Sequence, residues 1–281
     1  MTNQASETAR QILSEQGAPV VVFDHVRLAF DDQVVLKDVS FTLIKGHTKI
    51  ILGASGSGKS TAVKIIVGLL KADSGVVWVN GERVDQLTER ELMAVRNDLG
   101  MIFQEGALFD SLTVRENVGY KLYEETDMPL EQVDRRVEEV LGFIDLVEHI
   151  DKMPSELSGG QRRRVAIARA MAFKPSIMLD DEATTGLDPI TATTVDDEII
   201  KLRDLENVSS IIVTHQLRDA FYVATHMAVR DKAGRAHITP ATPEKEREAE
   251  FIMLRDGLIN FEGDADSLRK STDPYIVSFL S

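Results

Sequence analysis

Hydrophobic residues recur along this chain in two rhythms. Short runs rich in β-branched and aromatic residues at 20–23, 26–30, 39–43 and 48–52 predict strands, and the last of them leads straight into a glycine-rich loop. Residues 61–70 then read as helix. Residues 76–79 followed by Asn80-Gly81 predict a hairpin, because both turn residues accept the positive φ a tight turn requires. Between 130 and 147, Leu130, Val133, Val137, Val140, Leu141, Ile144 and Val147 fall at steps of three and four, which describes one face of a helix. A further helix begins near Ser158 and stops before Pro175, with Lys174 suited to its carboxyl end. Short apolar runs at 177–179 and 211–213 predict buried strands. Strands alternating with helices imply a mostly parallel sheet covered on both faces. Residues 251–254 and 258–261, joined around Asp256-Gly257, predict a closing hairpin.

Two segments break these rhythms. Residues 1–18 lack a firm period and run into Gly17 and Pro19, which predicts a flexible leader with a helical turn or two. Residues 230–250 carry Pro240, Pro243 and the run Glu244-Lys245-Glu246-Arg247-Glu248, which predicts a solvated loop or exposed helix.

Composition narrows the class. A chain of 281 residues, 43% of them hydrophobic, can bury the core of one large α/β domain. No apolar run is long enough to cross a bilayer, and residues 1–16 mix charges into their few apolar positions, so neither a span nor an export signal is expected. The absence of cysteine excludes disulfides and cysteine-ligated zinc or iron–sulfur centres. A formal charge of −14 opposes nucleic-acid backbones, and Arg162-Arg163-Arg164 is too short to reverse that; it reads as a solvated helix face.

Two constellations carry chemistry. In Gly53-Ala54-Ser55-Gly56-Ser57-Gly58-Lys59-Ser60-Thr61, bare backbone amides can curl around a phosphate, Lys59 can reach the β and γ oxygens, and Ser60 can place its hydroxyl on magnesium. Downstream, the apolar strand Ile177-Met178-Leu179 ends in Asp180-Asp181-Glu182. There Asp181 can hold magnesium through water while Glu182 polarises an attacking water; an alternative register makes Asp180 the metal residue.

Leu157-Ser158-Gly159-Gly160-Gln161, lying between these two, resembles the signature of ATP-binding cassette (ABC) proteins, and the resemblance runs from about residue 20 to 263. It implies a P-loop NTPase core of ABC ATPase type with an antiparallel β subdomain and a helical subdomain. An ABC ATPase domain over 19–281 would comprise a core with β subdomain at 19–103 and 162–229, a helical subdomain with the signature at 104–161, and an insertion plus carboxyl-terminal hairpin and tail at 230–281. The cofactors implied are ATP and Mg2+. Gln104, after Met101-Ile102-Phe103, matches the glutamine that senses magnesium and water, and His215, after Thr214, matches the switch histidine on the γ-phosphate. With Lys59 and Glu182 they make up the implied catalytic set, and Ser60, Gln104 and Asp181 the metal set. Phe30 matches the ring that stacks on adenine. Thr185-Gly186-Leu187-Asp188 resembles the loop that crosses a dimer interface. Ser158, Gly159, Gly160 and Gln161 would meet the γ-phosphate held by a second, identical subunit, so the resemblance implies a homodimer. Most cassettes have an apolar residue where Asp180 stands and a proline where Ala183 stands; both are departures.

The resemblance also implies integral-membrane permease subunits as partners and a place on the cytoplasmic face of the inner membrane. Residues 104–118, above all Gly106-Ala107-Leu108-Phe109, and the ending at 271–280 resemble the ATPase subunits of Mce-associated phospholipid-trafficking transporters, which implies phospholipid transport and a lipid-binding Mce-domain partner. Gln161 departs from that branch, where many members have methionine. Leu112-Thr113-Val114 and Glu116-Asn117-Val118 are shared with many importers, so the ATPase of a polar-solute importer is the alternative, and a non-transport signalling or assembly ATPase is the alternative from another class.

Overall fold

A computed structural model describes residues 17–103 and 106–280. The leader expected at 1–18 lies, apart from Gly17 and Ala18, outside the described residues, as does Gln104.

The chain opens with a long antiparallel pair, β1 (Pro19–Phe30) and β2 (Gln33–Ile44). The two short strands expected at 20–23 and 26–30 are one, because a bulge absorbs His25 at φ 51 and its N–H bonds to Ser40 Oγ at 2.8 Å. β3 (Thr48–Leu52) feeds the glycine-rich loop and α1 (Lys59–Ile66), which ends before the expected residue 70 as the chain turns at Gly68, φ 68. β4 (Ser74–Val79) turns through Asn80 and Gly81 into β5 (Glu82–Arg83), the hairpin expected there. Then follow α2 (Glu89–Asn97), β6 (Leu99–Ile102), α3 (Val114–Glu125) and α4 (Leu130–Phe143). α4 stops short of residue 147 because the chain reverses at Asp145, φ 52. Ile144 and Leu146 still reach the core from the turn, so the apolar period outlasts the helix. α5 (Gly159–Met171), β7 (Ile177–Asp181), α6 (Pro189–Leu205), β8 (Ser209–Val213) and α7 (Leu217–Thr225) complete the alternating part.

Residues 230–250 are not the irregular stretch expected. β9 (His226–Arg230) and β10 (Ala236–Pro240) pair as a hairpin whose turn is closed by Asp231 Oδ1, which accepts from the amides of Ala233 and Arg235 at 2.8 and 2.9 Å. After α8 (Pro243–Glu246), β11 (Ala249–Arg255) enters the main sheet. Lys245, which the charge run places in solvent, lies 2.9 Å from Asp204 Oδ1, and Asp204 also holds buried Arg203 at 2.7 Å. The partners come from α6, so the local composition cannot show them. β12 (Leu258–Gly263), α9 (Ala265–Arg269) and α10 (Pro274–Leu280) end the described chain.

The main sheet runs β5-β4-β1-β2-β12-β11-β3-β8-β7-β6. It is mixed rather than mostly parallel. β11, β3, β8, β7 and β6 are parallel neighbours, whereas β1, β2, β4 and β5 pair antiparallel. The closing hairpin β11–β12 joins the two halves, since β11 pairs with β3 and β12 with β2. Ile50 and Leu52 of β3 belong to the core under α4, α5 and α6, while Ile51 belongs to the core under α1 and β1. Period-two alternation thus covers the strand on both faces, which is why it reads as an unbroken apolar run.

One buried group sets an expected pH dependence. Asp196 of α6 is 2% exposed, its Oδ2 has no hydrogen-bond partner among the described residues, and burial, reinforced by Asp219 and Asp180, pushes its carboxyl up to about 9. The folded chain therefore keeps a proton that the unfolded chain, with an ordinary carboxylate near about 3.9, releases at neutral pH. The stability present below that ordinary value is lost as pH rises toward the folded value. Asp196→Asn is expected to flatten the decline and raise the melting temperature at about pH 8 by a few degrees, roughly 2–4 °C per kcal/mol. Thermal melts across pH check it, and an unchanged decline would remove Asp196 as its source.

Candidate functional site

Three neighbouring parallel strands end level with one another. Ile51 of β3 and Asp181 of β7 both pair with Val213 of β8, so the glycine-rich loop, Asp181-Glu182 and Thr214-His215 leave the sheet at one edge. In open α/β sheets that carboxyl edge is where ligands bind.

The glycine-rich loop ends at Gly58, the N-cap of α1, at φ 103. A Cβ there would come within 2.7 Å of Leu36 Cδ2, so only glycine lets the loop press against β2. The first turn of α1 holds no acidic residue, leaving its amides and positive end to an anion. Lys59 is 4% exposed, and its Nζ donates to the carbonyls of Gly53 (2.9 Å) and Ala54 (3.1 Å) while lying 3.7 Å from Glu182 Oε1. Burial lowers the pKa of its ammonium, and the Glu182 and Asp181 carboxylates oppose that. Ser60 Oγ donates to Asp181 Oδ1 at 2.7 Å. Burial raises the Asp181 pKa, partly offset by this bond. A cleft is lined by Ser55, Gly56, Gly58, Lys59, Ser60, Thr61 and Glu182, with Gln33 and Val35 of β2 opposite. Ser57 Oγ is buried without a hydrogen-bond partner among the described residues.

Glu182 stands at φ 60. Its N–H donates to Val213 O at 2.9 Å, its Oε1 lies 3.2 Å from His215 Nδ1, and its Oε2 accepts from Thr185 Oγ1 at 3.2 Å. Asp180 is 4% exposed; its Oδ1 accepts from the Ala183 amide at 2.8 Å, and burial pushes its carboxyl up to about 7. Ser60 bonds Asp181 and not Asp180, so the geometry favours the register in which Asp181 is the metal residue. Phe30 ends β1, 47% exposed, and pairs with Gln33, which brings its ring beside a cleft-lining residue. Among the described residues no group of three His, Cys, Asp or Glu could hold a metal. The Ser60 hydroxyl and Asp181 carboxylate are hard oxygen donors of the kind that would hold Mg2+.

The signature sits elsewhere. Ser158 caps α5: its Oγ accepts from the Gln161 amide at 3.2 Å, Gln161 Oε1 accepts from the Ser158 amide at 2.9 Å, and Gln161 Nε2 meets His149 Nε2 at 2.9 Å. Gly160 packs on Thr191 of α6, where a Cβ would collide. Asp188 caps α6, accepting from the amides of Ile190 and Thr191, each at 3.1 Å. None of these side-chain bonds reaches the phosphate loop, and none of Ser158, Gly159, Gly160, Gln161 or Asp188 lines the cleft.

Structure thus brings together Lys59, Ser60, Asp181, Glu182 and His215, and leaves the signature and Asp188 outside. Sequence reasoning missed Gln33, Val35 and the Thr185 hydroxyl, whose only signal was a place in a recognised loop. It also misread part of the arginine run. Arg162 is exposed and donates to neighbouring Leu157 O (2.6 Å), as expected of a solvated face, but Arg163 donates to Thr185 O (3.1 Å) and Arg164 to Ile144 O (3.0 Å), so these two half-buried guanidiniums tie α5 to distant backbone.

Fold and site define a P-loop ATPase of cassette type. A family model described as "ABC transporter" matches residues 36–185. The methionine import ATP-binding protein MetN of Bifidobacterium longum is 40% identical over 274 residues, covering 93% of this chain and 68% of that protein. The chloroplastic protein TRIGALACTOSYLDIACYLGLYCEROL 3 of Arabidopsis thaliana is 35% identical over 270 residues, covering 90% and 71%. A dimeric post-hydrolysis structure of an ATP-binding cassette bound to ADP and Pi superposes with a TM-score of 0.70 at 30% identity, covering 87% of this chain and 98% of that one. The chain belongs to the ABC transporter family, as an ATP-binding, ATP-hydrolysing subunit.

Proposed function

We propose that two copies of this chain close on two ATP molecules, each held by one copy's phosphate loop and the other's signature, and that opening and closing powers an integral-membrane permease. The observation that carries this is the division just described: the phosphate-loop cleft is lined by Lys59 and Glu182, the latter contacted by His215, but by no signature residue, while Ser158, Gly159 and Gly160 start α5 with side-chain bonds that do not reach the loop. A helix N-terminus of small residues suits an anion. A second copy of the chain would bring its own phosphate loop and nucleotide to that helix start. Ile190, 82% exposed beside Asp188, offers apolar surface for such closure.

In this reading the loop amides, Lys59, Ser60 and Thr61 bind the phosphates, and Phe30 stacks on adenine. Ser60 and Asp181 would hold Mg2+, which supplies charge neutralisation at the β and γ oxygens. Glu182 accepts a proton from the attacking water, and His215 orients Glu182 and faces the γ-phosphate. Gln104, which lies outside the described residues, is assigned the sensing of magnesium and water on the resemblance of its motif alone. ATP works by binding the closed pair better than the open one. The test is Ser158→Arg, which places a bulky cation at the α5 cap. Single chains are expected to bind ATP normally while ATP-dependent dimerisation and cooperative hydrolysis disappear; cooperative turnover by this variant would overturn the arrangement.

For cargo, the methionine-import role named for the B. longum relative favours import of an amino-acid-type solute, and this reading is preferred to the phospholipid one. The second reading, phospholipid transport with a lipid-binding Mce-domain partner, rests on Gly106-Ala107-Leu108-Phe109, the tail at 271–280, and an Arabidopsis relative that bears a galactolipid's name. No described helix is long and apolar enough to cross a membrane, so a permease partner and attachment at the cytoplasmic face of the inner membrane belong to either reading. Native purification from membranes, with mass spectrometry of bound proteins and lipids, separates them: a solute-binding protein supports the first, an Mce-domain protein with lipid the second.

A further inference from the structure

We propose that Asp180 is a positioning residue for Glu182, acting through its bond to the Ala183 amide; this rests on the reading of Glu182 as the hydrolytic carboxylate. Glu182 occupies the left-handed region, φ 60, which is strained for a residue with a Cβ and persists only where surroundings impose it. The residues on either side impose it here. Asp180 Oδ1 accepts from the Ala183 N–H at 2.8 Å, so a side chain two residues before Glu182 grips the backbone just after it. Both ends of that grip are buried, with Asp180 4% and Ala183 1% exposed. From inside the loop, Glu182 N–H donates to Val213 O at 2.9 Å and Arg163 Nη2 donates to Thr185 O at 3.1 Å.

The two unusual residues of this strand end are therefore one device. A proline at 183 would hold its own φ near about −65° by its ring but would have no N–H to give Asp180. An apolar residue at 180 would leave the buried Ala183 N–H without its acceptor, which is destabilising because the amide has already lost its water. Either change alone breaks the match, whereas both together exchange a hydrogen-bonded turn for a ring-restrained one. What the turn controls is the aim of Glu182, whose carboxylate bridges His215 Nδ1 and Thr185 Oγ1. Binding of ATP runs through the phosphate loop, which Asp180 does not touch.

The test is steady-state ATP hydrolysis by the full chain, with ATP affinity and a thermal melt measured on every variant. Asp180→Leu is expected to lower kcat about tenfold with KM for ATP within about twofold, the signature of lost transition-state alignment rather than lost binding. Asp180→Asn keeps an acceptor for Ala183 and is expected to retain most of the turnover. Asp180→Leu/Ala183→Pro is expected to recover most of what either single change loses, a coupling that independent sites would not show. If Asp180→Leu alone fails to fold, Ala183→Pro against the double variant carries the test. Wild-type kcat in Asp180→Leu, equal impairment in Asp180→Asn, or a double variant no better than the singles would overturn the positioning role. Glu182→Gln run in parallel separates the two levels: stalled Glu182→Gln beside unaffected Asp180→Leu sinks this proposal alone, while active Glu182→Gln sinks the reading of the site.

Discussion

Glu182→Gln is expected to bind ATP, lose at least about a hundredfold in turnover, and accumulate as an ATP-bound dimer. The substitution keeps the shape of the side chain and its contact with the Thr185 hydroxyl, but an amide cannot take a proton from water. General-base groups contribute about 10²–10⁴-fold, so the loss should fall in that range. Binding should survive for an electrostatic reason. Glu182 Oε1 lies 3.7 Å from Lys59 Nζ and competes with phosphate for it, so removing the charge leaves Lys59 freer for nucleotide. With hydrolysis blocked and closure intact, the sandwiched state has no exit. Phosphate release and size-exclusion chromatography with light scattering in ATP check both halves; normal turnover would place the base elsewhere.

Lys59→Ala is expected to reduce ATP affinity by about a hundredfold. Lys59 is the only cation between residues 53 and 61, and its ammonium is already aimed, bonded to Gly53 O and Ala54 O and nearly buried. Hydrogen bonds to charged groups contribute about 1.5–3 kcal/mol, or roughly 10- to 150-fold, and the alanine also releases the two loop carbonyls that Lys59 tethers. Titration with a fluorescent nucleotide measures the loss. Unchanged affinity would move the nucleotide away from this loop.

Much of the site was legible because phosphate chemistry demands particular residues at short spacing. Six-residue reach fixes a loop whose amides converge, so Gly53, Gly58, Lys59 and Ser60 could be named together from the chain alone, and the structure sets Gly58, Lys59 and Ser60 on one cleft with Gly53 O bonded to Lys59. Glu182 was legible as a carboxylate at the end of an apolar strand, whereas His215 was legible only through resemblance, since a lone histidine at a strand end is ordinary. Their 3.2 Å approach depends on β7 and β8 being neighbours.

By itself the sequence determined local facts: several of the strands and helices, where a phosphate loop lies, and that a helix starts near Ser158. Periodicity and capping are short-range, so they survive in one dimension. Tertiary structure alone decided that the charged stretch after Val229 folds as a hairpin anchored by Asp204, that β11 and β12 knit two halves of the sheet together, and that Asp180 and Ala183 grip the turn at Glu182. Each of these is a pairing chosen by which groups lose water together when distant segments meet. A buried charge or amide accepts whichever partner the fold brings within about 3 Å, and no reading of neighbours along the chain names that partner.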